Sequence, residues 1–95
     1  MLYAAVSLDK PGQLELRIAT RPPHVAWLEG LGDQLKLAGP MLDEKGENPI
    51  GSLVIIEAES LAAARAVFAA DPYVKAGLFA TADVRAWRHT FGKLG

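Results

Sequence analysis

Two histidines and no cysteine are present in this 95-residue chain, so few side chains could move a proton near neutral pH. His24 lies in the stretch Arg21-Pro22-Pro23-His24-Val25-Ala26-Trp27-Leu28, where an arginine and a histidine flank two prolines at the predicted start of a helix. It precedes Leu28 by four residues and Leu31 by seven, so it projects along the edge of an apolar helical stripe. The first turn of a helix is a setting that suits a neutral imidazole acting as general base. A lone histidine in such a place is nevertheless more often a packing or hydrogen-bonding residue.

Asp71 is the carboxylate best placed to assist. It continues the spacing of Leu61, Ala64 and Phe68, which points it inward at the C-terminal end of a helix, where the dipole opposes negative charge. A carboxylate held there needs a histidine or arginine beside it. The plainer reading is that Asp71-Pro72 caps the next turn. Arg21, Glu29, Asp83 and Arg85 stand at element ends, where charged residues are usually solvated. No phosphate loop, dinucleotide fingerprint, nucleophile elbow or metal-ligand cluster is present, and no metal or other cofactor is expected.

These residues need a frame to bring them together. Leu2 to Leu8 reads as a strand ended by the turn Asp9-Lys10-Pro11-Gly12, with Leu2, Ala4, Val6 and Leu8 on one face and Tyr3, Ala5 and Ser7 on the other. A brief helical segment from Gln13 to Thr20 is expected to break at Arg21, because a residue before proline is pushed out of the helical region. A helix from Pro22 to about Asp33 follows, burying Val25, Leu28, Leu31 and Leu35. Leu35 to Leu42 is a second strand, and Asp43 to Pro49 a solvated loop that could line a pocket. Gly51 to Ala58 is the clearest strand, through its run Leu53-Val54-Ile55-Ile56. Ser60 caps a helix from Leu61 to Ala70, a short turn runs from Asp71 through Lys75, and Leu78 to Trp87 is the last strand.

The order β-α-β-β-α-β predicts an α+β, ferredoxin-like fold: a four-stranded antiparallel sheet with both helices on one face. The uncovered face is expected to carry Tyr3, Phe79, Trp87 and half of the Leu53 to Ile56 run. Exposed apolar patches of that size usually mark an interface, so two subunits are expected to stack sheet against sheet as a homodimer, or as a larger assembly built from it.

Composition agrees with a folded globular chain: 51% of residues are apolar and 22% charged. The net charge of −1, without a basic cluster, argues against nucleic acid and anionic membrane partners. With no signal-like start and no membrane-length apolar run, a cytoplasmic location is expected. The whole of residues 1–95 is read as a single domain.

Taken together, Arg21-Pro-Pro-His24, Leu28, Ala38-Gly39-Pro40, Gly51-Ser52, Ala70-Asp71-Pro72-Tyr73, Gly77-Leu78-Phe79 and Arg85-Ala86-Trp87 resemble the YCII-related (YciI-like) family. The resemblance implies a dimeric α/β barrel, with a histidine and an aspartate paired in an active site that map onto His24 and Asp71. It also implies proton-abstracting chemistry of the lyase, dehydrochlorinase or isomerase kind on a small molecule; in such an enzyme Arg21, Ser52 and Tyr73 are the expected substrate contacts. The alternative is a non-catalytic metabolite-binding or accessory module whose His24–Asp71 pair is a structural tie. A heme-dependent oxygenase rests on superfamily analogy alone.

Overall fold

β1 (Leu2–Asp9) runs through the interior of the sheet, paired antiparallel with β3 (Pro49–Glu57) on one side and β4 (Phe79–Trp87) on the other. β2 (Leu35–Leu42) completes the order β2-β3-β1-β4. In this computed structural model, which describes residues 1–93, α1 (Leu14–Gly30), α2 (Leu61–Ala69) and the one-turn α3 (Pro72–Lys75) fill the connections, with a 3₁₀ turn at Gly32–Gln34. This is the expected ferredoxin-like arrangement.

One face of the sheet holds the core. Tyr3, Ala5, Val54 and Ile56 pack there against Ala64 and Phe68 of α2, with Trp27 and Leu28 of α1 and Leu31 just past its end closing the cluster. The register continues this face from Tyr3–Ile56 through Ala5–Val54 to Ser7–Ser52, so an apolar end grades into a polar one. Gly51 lies at that end, where a Cβ would run into the Ser7 carbonyl oxygen; the strands approach too closely for any side chain.

Two expectations about faces change. Tyr3 is buried under the helices and does not belong to the open face. Phe79 also lies on the helix side, its ring 6.0 Å from that of Tyr73. The register slips between Leu8 and Asp9, and that irregularity takes Phe79 out of the alternation shared by Thr81, Asp83, Arg85 and Trp87. Trp87, opposite Leu2, stays on the open face with the exposed Val6 and Leu8.

The largest difference lies in α1. It is one helix across Pro22 and Pro23, not a short segment followed by a second helix. An interior proline costs about 3 kcal/mol through its missing N–H and ring clash. Here Ile18, Ala19, Arg21, Pro22 and Pro23 all face solvent, so water can satisfy the carbonyls that lose a partner. The buried side of the helix compensates by docking on the sheet. Continuity has a consequence: Arg17, Arg21, His24 and Leu28 follow at helical spacing on one flank. His24 is therefore mid-helix, and the helix-start setting expected for its imidazole does not apply.

Candidate functional site

The polar end of the sheet, α1 and α3 enclose a cavity of about 210 Å³. Ile18, Val25, Leu28, Pro40 and Val54 supply apolar wall, while Arg17, Arg21, His24, Ser52 and Tyr73 supply polar groups. All the expected site residues except Asp71 line this space; Asp71 stands behind His24. Of the 43–49 loop, only Pro49, now the first residue of β3, reaches the cavity. Asp43 instead folds the loop on itself, accepting from the backbone N–H groups of Glu47 and Asn48.

His24 Nδ1 lies 2.7 Å from Asp71 Oδ1, with both side chains nearly sealed from solvent. A carboxylate only accepts, so a hydrogen sits on Nδ1, and in the neutral ring Nε2 is the acceptor nitrogen. Among the described residues no group bonds Nε2. The same Asp71 oxygen accepts the Tyr73 backbone N–H at 3.0 Å, making Asp71 the N-cap of α3. Asp71 therefore both contacts His24 and caps the next turn, and its charge lies at a helix start, where the dipole favours it, rather than at the unfavourable helix end expected from its spacing.

Tyr73 is placed by both ends of α3. Gly77 adopts a positive φ of 72°, and the Leu78 N–H returns to the Tyr73 carbonyl at 3.1 Å, a Schellman-type ending that buries Leu78 completely. The Tyr73 ring stacks on His24, centroids 4.0 Å apart at 20°. Its phenol hydroxyl has no hydrogen-bond partner among the described residues.

Burial pushes the Tyr73 phenol above its ordinary value of 10.0; Arg17 and Arg21 partly oppose this, while Asp71 adds to it. The unfolded chain gives up this proton first, so stability is unaffected below about pH 10 and falls as pH rises toward the folded-state value. Phenolate absorbance followed with unfolding is expected to show Tyr73 ionising late in the native protein. Ionisation of both tyrosines at the ordinary value would contradict it.

Sequence reasoning missed Arg17 and Asp9. Arg17 Nε donates to Asp9 Oδ2 at 2.7 Å and Nη2 donates to Oδ1 at 2.9 Å, a two-pronged pair. Nη2 also donates to Ser52 Oγ at 2.8 Å, and the guanidinium lies 4.6 Å from the Tyr73 ring centre. The signal was present: Arg17 precedes Arg21 by four residues and His24 by seven. Breaking the helix at the prolines hid it. Asp9 was absorbed into its turn.

Among the described residues, no three His, Cys, Asp or Glu side chains gather to hold a metal ion, and no helix is long and apolar enough to cross a membrane.

The profile of the YCII-related domain matches residues 1–88. The chain belongs to the YCII-related family. Protein YciI of Escherichia coli O6:H1 is 42% identical to this YCII-related chain, covering 96% of it and all of the relative. An uncharacterized protein of Haemophilus influenzae is 39% identical over the same shares. Among solved structures, 5-chloro-2-hydroxyhydroquinone dehydrochlorinase (TftG) from Burkholderia phenoliruptrix, in complex with 2,5-dihydroxybenzoquinone, superposes with a TM-score of 0.86 at 36% identity, covering 95% of this chain and 96% of that one. The cofactor-independent oxygenase SnoaB of Streptomyces nogalater, at 9% identity, TM-score 0.58 and coverage of 97% and 96%, shares the fold alone.

Proposed function

We propose that this protein is a small-molecule lyase that takes a proton from a hydroxylated ring through His24, with Asp71 as the group that orients it. The observation that carries the reading is the imidazole's arrangement: Nδ1 bound to a buried carboxylate, the ring lining a cavity. A partner of that kind fixes the tautomer and stabilises the imidazolium as it forms. Arg21, Ser52 and Tyr73 hold the substrate's oxygens.

Size supports a single ring. A cavity of about 150 Å³ accommodates benzene, and this one has about 210 Å³, room for a ring and its substituents. The likeness to TftG supports loss of HCl from a chlorinated hydroquinone. In that reaction two hydroxyl protons leave, the first to the base, one proton is placed on the chlorine-bearing carbon, and chloride departs with its bonding pair, so that the net loss is HCl. The ring rises to the quinone level, and no outside oxidant or reductant is consumed.

Purified protein given 5-chloro-2-hydroxyhydroquinone without oxygen is expected to release chloride and a hydroxyquinone in equal amounts. If 2,5-dihydroxybenzoquinone binds but no chlorinated or unchlorinated hydroxyquinone is turned over, the non-catalytic binding module takes its place. That second reading draws on Asp71 capping α3, which gives the pair a structural task of its own. If neither binding nor turnover occurs, both readings fall.

The homodimer is part of the same proposal. The open face exposes Val6, Leu8, Met41 and Trp87, and apolar exposure of that extent is usually covered by a partner.

A further inference from the structure

We infer that Arg17 turns the Ser52 and Tyr73 hydroxyls into a paired donor site for one substrate oxygen carrying negative charge. The inference rests on the reading of this cavity as the substrate site, and it adds a positioning residue and a ligand class that the His24–Asp71 pair does not supply.

A guanidinium has only donors. By donating to Ser52 Oγ at 2.8 Å, Arg17 occupies that oxygen as acceptor, and the Ser52 hydrogen must point elsewhere. No acceptor among the described residues takes it, and Ser52 lines the cavity. Tyr73 also lines it with its phenol unpartnered, beneath the same guanidinium at 4.6 Å. A cation over the ring draws on its electrons and strengthens the O–H as a donor.

Arg17 can do this because its own charge is satisfied. Asp9 binds it through two nitrogens, which holds the guanidinium in place at the cavity wall as one half of an ion pair. The cavity lining contains no acidic side chain; Asp9 and Asp71 are both committed to buried partners. What lines the cavity is a set of donors, the cations of Arg17 and Arg21, and the ring of His24, whose Nε2 has no partner among the described residues. The ligand that matches is a ring with one hydroxyl to surrender and another oxygen already ionised or becoming so. Hydroxyquinone and enolised diketone rings meet that description; ring amines do not.

The test uses 2,5-dihydroxybenzoquinone as a coloured anionic probe and benzylamine as a cationic ring. Ser52→Ala and Tyr73→Phe, whose folding is checked by circular dichroism, are each expected to weaken the probe about tenfold or more, the loss typical of a hydrogen bond to a charged group. Each is also expected to return the bound probe's absorption band toward its free position, a change a merely structural role does not produce. Arg17→Lys is expected to do the same, because an ammonium lacks the planar fork that grips Asp9 through two nitrogens while fixing Ser52.

If both hydroxyl variants bind the probe as tightly as wild type, or if benzylamine binds as tightly as the quinone, the inference is overturned, even where turnover depends on His24. Weakened binding in the variants, with no His24-dependent turnover, supports the donor site and removes the lyase reading. A wild type that binds no probe overturns both.

Discussion

His24→Gln is expected to lower chloride release from 5-chloro-2-hydroxyhydroquinone by about 10²–10⁴-fold, the usual worth of a positioned general base. Glutamine is the informative replacement because it removes the base yet keeps a polar side chain beside Asp71, whose side chain is only 6% exposed. Alanine would strand that carboxylate and confuse lost chemistry with lost stability. Binding of 2,5-dihydroxybenzoquinone is expected to survive in His24→Gln, since the donors that hold it lie elsewhere in the cavity. Undiminished turnover in this variant would end the base reading. Asp71→Asn should act more mildly. The Asp71 oxygen receives both His24 Nδ1–H and the Tyr73 N–H, so an asparagine must keep its oxygen there; the flipped amide would set N–H against N–H. The tautomer is preserved and only the charge is lost, a change from a charge-assisted to a neutral hydrogen bond. Turnover about tenfold below wild type is expected, with ¹⁵N chemical shifts still reporting hydrogen on Nδ1.

Asp9→Ala is expected to destabilise the fold by about 3–5 kcal/mol, the cost of stranding one partner of a buried ion pair. The side chains of Arg17 and Asp9 are 5% and 7% exposed, so solvent cannot take over from the missing carboxylate. For a small domain with roughly 5–15 kcal/mol in total, that is a large fraction. Urea unfolding measures it directly. The double variant Asp9→Leu/Arg17→Met is expected to regain most of the loss, because apolar side chains of similar volume often replace such a pair at little cost. It should nevertheless bind the quinone poorly, since nothing then sets the Ser52 hydroxyl. If Asp9→Ala unfolds at the same urea concentration as wild type, the pair is not the buried anchor its geometry indicates.

The strands and the fold class were legible in the sequence because alternation and the Leu53-Val54-Ile55-Ile56 run are local signals. His24, Asp71, Arg21, Ser52 and Tyr73 were nameable through the family resemblance, and the cavity gathers all but Asp71, which stands behind His24. What was not legible follows from tertiary effects. The continuity of α1 depends on the prolines facing water, a property of how the helix docks and not of its propensity. Arg17 was hidden by that one misjudged break. Tyr3 and Phe79 went to the wrong face because alternation says which residues share a side but not which side the helices cover, and because one register slip reverses the phase of a strand's end.

The proline pair also bears on when the site comes into being. Pieces of helix as short as those on either side of Pro22 and Pro23 do not persist alone in water, where about 12–15 residues are needed even for favourable sequences. Arg17 belongs to one piece and His24 to the other. Their alignment is therefore acquired on docking to the sheet and has no counterpart in the nascent or partly folded chain. Ligand-binding competence should therefore arrive with the docked tertiary fold and not with helix formation alone, making the cavity a marker of the native state.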